Sequence, residues 1–257
     1  MKILITGAAG GIGYLTALTL AERGHFVYLT VHTKKEEENL KERLEDNENI
    51  EVMKIDITNE LDRKKVLSLN IDCLFNNAAV GLGGSIIEAD MNKVRKSFEV
   101  NVFSSFNLLQ MVIKQMIDKD KGRVIIMSSL ASSFTFPFMG IYSATKASIS
   151  SITKALQKEL FFLGTNVKVI LIEPGLYHTG FNQVFLDNKY DDGKYFSHIK
   201  EELNNVEHFL VRLGEKERLD SIVIKIVKAV EDEKTKDVYR APFMQAKLAR
   251  LYNILKK

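Results

Sequence analysis

Short apolar runs, each followed by a longer amphipathic stretch, constrain this chain more than any other feature. The runs are KILIT from Lys2, FVYLTV from Phe26, IEVMKI from Ile50, IDCLF from Ile71, RVIIMS from Arg123 and VKVILI from Val167. Helical patterns fill the intervals over 11–23, 34–46, 58–69, 91–117 and 142–163. Apolar strands alternating with helices predict an α/β fold, a doubly wound parallel sheet with helices on both faces. A chain of 257 residues can bury one large core of this kind. There is no internal repeat or Pro/Gly-rich linker, and the prolines are confined to Pro137, Pro174 and Pro242, so a single domain over 1–257 is expected.

Composition narrows the function classes. Hydrophobic residues make up 46% and charged residues 27%, ordinary values for a soluble globular chain. A net charge of +3 without an Arg-rich tract gives nucleic acid no evident footprint. Cys73 is the single cysteine, so no intrachain disulfide can form. The first apolar run is too short for a signal peptide, and no apolar stretch is long enough to span a bilayer, so the expectation is a cytoplasmic protein without stable membrane insertion. The histidines His25, His32, His178, His198 and His208 show no ligand spacing, and no metal site is expected. The run KKEEENLKERLEDNENIE reads as a solvated helix followed by a turn.

The first strand runs into TGAAGGIG, where Gly7, Gly11 and Gly13 follow G-x-x-x-G-x-G spacing and Gly10 allows a second variant. Glycine permits a tight turn, lets the backbone approach a diphosphate, and leaves helix N-terminal donors facing anionic oxygens. At the end of the second strand, LTVHTKK offers no Asp or Glu. A carboxylate there would accept the 2′-hydroxyl of NAD, whereas His32, Lys34 and Lys35 suit a 2′-phosphate, so NADP(H) is expected ahead of NAD(H).

Farther along, GIYSATKASISS places Tyr142 and Lys146 at i and i+4 on one helix face, separated by small residues. On a solvated face the pair would mean nothing. In a cleft, a unit charge ~4 Å away at an effective dielectric of ~20 is worth about 4 kcal/mol. That corresponds to about three pKa units, enough to bring a phenol toward useful acid–base chemistry.

With these residues in view, the chain resembles the short-chain dehydrogenases/reductases, in their compact branch. The resemblance spans about Lys2 to Thr179 and rests on TGAAGGIG, DIT at Asp56–Thr58, NNAA at Asn76–Ala79, Asn101 in FEVNVF, Ser129 in IIMSSLAS, YSATK at Tyr142–Lys146 and PGLYHT at Pro174–Thr179. It implies a Rossmann-type fold and hydride transfer between a nicotinamide cofactor and a carbonyl or alcohol. In that pattern Tyr142 is the general acid/base, and Ser129 binds the carbonyl oxygen. Lys146 binds the nicotinamide ribose, and Asn101 interrupts its helix and holds a relay water. Gly7, Gly11, Ile12 and Gly13 cradle the diphosphate, while Asp56 and Ile57 meet the adenine. Asn76 and Asn77 end the fourth strand, where amides can bind neighbouring backbone and present carbonyls to the cofactor ribose; Pro174 and Gly175 turn the chain beside the cofactor, and Thr179 meets its carboxamide or phosphates. Ala79 stands where the family usually has glycine.

The substrate side is read from LASSFTFPFMG, which sets Leu130, Phe134, Phe136, Phe138 and Met139 between Ser129 and Tyr142, with Leu176 and Phe181 beyond the Pro-Gly turn. A hydrophobic ketone or secondary alcohol is the expected substrate, beneath a lid at about 181–214. The resemblance also implies a homodimer or homotetramer formed through the helices over 91–117 and 142–163. The basic, amphipathic tail APFMQAKLARLYNILKK is expected to pack on the body or on a neighbouring subunit ahead of a membrane surface. Two other readings stay open: a nucleotide-sugar epimerase or dehydratase, and a cofactor-sensing scaffold without turnover.

Overall fold

Strand residues alternate between two apolar environments, and that alternation builds the architecture. A computed structural model describes residues 1–134, 136–181, 194–199, 201–202, 205 and 214–255. Its strands are β1 (Lys2–Ile5), β2 (Phe26–Val31), β3 (Ile50–Lys54), β4 (Cys73–Asn76), β5 (Arg123–Met127), β6 (Lys168–Pro174) and β7 (Val238–Ala241). They form one seven-stranded sheet in the order β3-β2-β1-β4-β5-β6-β7. Every pairing is parallel. The helices are α1 (Gly11–Glu22), α2 (Lys34–Arg43), α3 (Glu60–Ser68), α4 (Met91–Phe98), α5 (Ser105–Asp118), α6 (Gly140–Leu163), α7 (Asp220–Glu231) and α8 (Phe243–Leu255).

Ile3 and Ile5 of β1 face a core layer with α1, α2 and α7, to which Leu20, Leu40 and Ile226 contribute. Leu4 points the other way, into a layer with Val66, Leu108, Val112 and Ile149 from α3, α5 and α6. The sheet is therefore covered on both faces, and its polar chemistry is left to the strand ends. Cys73 lies wholly inside the first layer, where burial pushes its thiol up to about 12, so it acts as a small apolar residue.

Three local features shape the framework. The interruption that the resemblance implies at Asn101 is a π-helical segment, Glu99–Ser104, within the helix expected over 91–117. Asn59 caps α3 by accepting from Asp62 N, while Asp56 Oδ1 closes a turn onto Thr58. β7, with α7 before it, extends the sheet beyond the strands anticipated. Its Arg240 registers with Glu173 of β6 and lies 2.6 Å from it, in an ion pair whose N–H points off the oxygen. The expected lid lies largely outside the described residues.

Asp62 ties the end of β3 to α3. Its carboxylate accepts from Lys54 Nζ at 2.6 Å, Lys65 Nζ at 2.7 Å and Asp56 N at 2.9 Å, with 6% of its side chain exposed. Burial opposes ionisation, but these donors outweigh it and hold the carboxyl well below its usual range. Asp62→Ala should cost about 3 kcal/mol in chemical denaturation at neutral pH. A group held low stabilises the fold above its ordinary value and loses that contribution as pH falls. The difference from wild type should therefore shrink below about pH 4.

Candidate active site

The strand order reverses between β1 and β4, and the cleft opens beyond their C-terminal ends. Thr6 stitches the two ends together: its hydroxyl accepts from Asn77 N at 2.9 Å and Ala78 N at 3.0 Å. Asn77 Nδ2 donates back to the carbonyls of Thr6 and Gly7, both at 2.9 Å. Gly7 sits at φ 62°, and a Cβ there would lie 2.7 Å from Ala78 Cα, so this position must be glycine on two counts. Asn76 turns instead toward α5, donating to Ser105 Oγ at 2.7 Å, and its buried Oδ1 has no hydrogen-bond partner among the described residues. Asn77, its sequence neighbour, faces the glycine loop.

Gly11 is at φ 58°, and a Cβ on Gly13 would meet Asn77 Nδ2 at 2.7 Å. Gly10 is extended and a Cβ there would meet nothing within 4 Å, so the first G-x-x-x-G-x-G reading is the one the backbone requires. α1 begins without a side-chain cap and without an acidic residue in its first turn, whereas α2, α3 and α4 are each capped by their own side chains. Thr179 stands at the opposite side, its Cβ 3.0 Å from the place a Gly11 side chain would take. Uncapped donors, open space over Gly10 and a hydroxyl-bearing residue across from them fit a diphosphate. Ile12 anchors the first turn of α1 against the core.

At the end of β2 the structure adds what the sequence reading missed. Glu36 closes a capping box on α2, its Oε2 accepting from Thr33 N at 2.8 Å and His32 N at 3.1 Å. A carboxylate thus stands at the end of β2 after all, signalled by the T-x-x-E spacing from Thr33. Lys34 is drawn to Glu37 at 2.6 Å, and His32 Nε2 lies 3.4 Å from Asp56 Oδ2. Asp56 pays a desolvation penalty, but hydrogen bonds from Thr58 and the charges of His32 and Lys54 keep its carboxyl below its ordinary value. Ile57 is 4% exposed with its side chain in the core, so any contact it makes with a ligand uses its backbone.

Ser129, Tyr142, Lys146 and Asn101 converge at the end of β5. Ser129 stands beside the Tyr142 phenol and stabilises its ionised form, and Ser129 Oγ accepts from Ala131 N at 3.1 Å. Lys146 Nζ donates to Met127 O at 3.1 Å and lies 5.8 Å from the Tyr142 ring centroid. Asn101 bonds to both backbone groups of Val80 at 2.8 and 2.9 Å and donates to Thr145 Oγ1 at 3.1 Å. Thr145 in turn donates to Tyr142 O at 2.8 Å, so the π-helical segment braces the turn that carries the pair. Ser128, not singled out in the sequence, ties this turn to β5 by donating to Lys146 O at 3.1 Å and meeting Ser150 Oγ at 2.6 Å.

The electrostatics differ from the sequence expectation. Burial pushes the Tyr142 phenol up to about 12, with Ser129 only partly offsetting it. Burial also pushes Lys146 down to about 8. In the protein alone, the loss of water outweighs any acidification of the phenol by the ammonium.

Pro174 and Gly175 end β6, and Gly175 N donates to Ala241 O at 2.7 Å. A Cβ on Gly175 would lie 1.9 Å from Gln245 Oε1 of α8, which accepts from Leu176 N at 2.8 Å. Gln245 Nε2 donates to Gly214 O at 2.7 Å. No local sequence pattern marks this residue. Phe181 lies 5.7 Å from the Tyr142 ring, Phe138 stacks edge-on with Phe196 at 5.2 Å, and Phe134 with Phe136 at 5.5 Å. Leu130 is buried.

The sequence profile of the short chain dehydrogenase family matches residues 1–189. The chain belongs to that family. A 3-ketodihydrosphingosine reductase from Bacteroides thetaiotaomicron is 32% identical over 185 residues, covering 70% of this chain and 65% of that protein's length. A short chain dehydrogenase/reductase from Burkholderia phymatum, solved with NAD, superposes with a TM-score of 0.83 at 21% identity, over 99% of this chain and 94% of the other. A short chain dehydrogenase from Burkholderia cenocepacia, solved with NADP, gives 0.74 at 23% identity, over 97% and 91%. These structures share the fold of this short-chain dehydrogenase.

The two buried groups make opposite contributions to stability as pH rises. Lys146 binds its proton more weakly folded than unfolded, so stability should rise from about pH 8 toward about pH 10. Tyr142 binds its proton more strongly folded, so stability should fall from about pH 10 toward about pH 12. Urea unfolding of Lys146→Met should lack the rise and keep the fall.

Proposed function

We propose that this chain is a nicotinamide-dependent oxidoreductase that reduces a hydrophobic ketone, or oxidises the matching secondary alcohol. The observation that carries the reading is the convergence of Ser129, buried Tyr142 and buried Lys146 at the strand ends that also carry the glycine loop. The cofactor, when bound, supplies or accepts the hydride and in its oxidised form adds a positive charge. Gly7, Gly11, Ile12, Gly13 and Thr179 would hold its diphosphate, and Asp56, with the backbone at Ile57, its adenine. Pro174 and Gly175 would shape the carboxamide end, and Asn76 would support that site from behind.

Ser129 would hold the carbonyl oxygen within reach of the Tyr142 hydroxyl. In the reductive direction Tyr142 must begin protonated, which is the state its burial enforces. Lys146, held near Met127 O, would bind ribose hydroxyls and help to replace the proton. Asn101 spends its side-chain amide on Val80 and Thr145, so a water relay at this point would run through its main chain. The aromatic cluster around Phe181 and Phe138 supports an apolar substrate. The name of the Bacteroides relative makes a long-chain keto lipid the first compound to try.

Tyr142→Phe should lower turnover about a thousandfold, followed by nicotinamide absorbance over a panel of ketones, while cofactor binding by fluorescence stays intact. Full turnover by this variant would overturn the reading. For the cofactor we favour NADP(H), on His32 and Lys35. The carboxylates facing His32 and Lys34, with Glu36 beside them, support NAD(H) as the alternative. His32→Asp should weaken NADPH binding about tenfold relative to NADH. An unchanged ratio would move the discrimination from His32 to Glu36.

A further inference from the structure

α8 is amphipathic the wrong way round. It sets its small residues against the body, with Ala246 7% and Ala249 4% exposed. Three of its large ones stand in water: Met244 is 64%, Leu248 61% and Leu251 52% exposed. These three occupy i, i+4 and i+7 of one helix, a continuous apolar stripe. A helix that served only the fold would bury its leucines and expose its alanines. The reversed pattern needs an apolar medium or partner over the stripe.

Charge selects between them. The sequence from Phe243 to Leu255 carries Lys247 and Arg250 and no acidic residue, and Lys247 is exposed beside the stripe. A two-fold contact with a second copy would set two basic helices, neither with an acidic residue, against each other. An anionic lipid surface accepts both the leucines and the cations. We infer that α8 is an interfacial docking helix that lays Met244, Leu248 and Leu251 into the headgroup boundary of an anionic bilayer.

The position of the helix gives the docking a direction. α8 follows β7 at the C-terminal edge of the parallel sheet, the edge that also carries the glycine loop and Ser129. Its first turn is fastened to the reaction loops through Gln245, which bonds Leu176 N and Gly214 O. Docking therefore sets the loops after β6 beside the lipid. Among the described residues no helix is long and apolar enough to cross a membrane, so the contact is peripheral.

The test is cosedimentation of the purified protein with vesicles of phosphatidylcholine alone or mixed with phosphatidylglycerol. Wild type should pellet with the anionic vesicles, with affinity falling as salt is raised. Leu248→Ser with Leu251→Ser should lose about tenfold or more per side chain. Lys247→Glu should lose roughly tenfold to thirtyfold on anionic vesicles and little on neutral ones. Both variants change exposed residues outside the reaction centre, so circular dichroism and turnover of a water-soluble ketone should match wild type. The proposal is overturned if wild type pellets with neither vesicle, or if both variants pellet as wild type does. Light scattering covers the other occupant: an assembly that the double serine variant breaks into smaller units would assign the stripe to a second copy and overturn the lipid reading.

Discussion

The bonds from Asn77 N and Ala78 N to the Thr6 hydroxyl hold the site together, because they fasten two strands whose connections leave in opposite directions. The cleft exists where β1 and β4 part, and a cleft between diverging elements splays unless its walls are tied. The tie is short, so the glycine loop is pulled onto the end of β4, and Gly7 then has no room for a methyl group. A requirement that looks like ligand chemistry in the sequence is thus, in part, a packing requirement of the fold itself. The same holds for Gly175, whose missing side chain makes way for Gln245.

Burial governs the reactive pair more than their mutual charge does. Helical spacing put Tyr142 and Lys146 on one face, and the fold then removed that face from water. The phenol rose and the amine fell, each toward its neutral form. Near neutral pH the phenol therefore keeps its proton, while the amine, at about 8, still carries most of its charge. That balance is set by burial, which a sequence does not display.

The parts of the fold legible beforehand were those with a local signature. Alternating apolar strands announced the layers, positive-φ turns left glycines at positions 7 and 11, and i, i+4 spacing announced the Tyr–Lys turn. What escaped were contacts between distant segments. Asn76 and Asn77 are identical side chains, and only strand alternation sends one to α5 and the other to the glycine loop. Gln245 reaches Leu176 from the far end of the chain without any motif. β7, the run VYRA, is broken by Arg240, whose partner Glu173 lies far away in sequence, so no continuous apolar run marked it. The Thr33–Glu36 box was visible as spacing, but its carboxylate gained meaning only beside His32 and Asp56.

The π-helical segment at Glu99–Ser104 gives the chain a built-in phase offset. Each residue of an α-helix turns the path by about 100°, so one residue more or fewer within the wide turn rotates everything on one side of it by that angle. Leu108, Val112 and Met116 can face the sheet while Met91 and Val94 follow a different azimuth because the offset absorbs the mismatch. Trimming one residue there would give a more regular rod and a worse protein, with Asn101 swung off Val80 and the α5 leucines turned out of their layer.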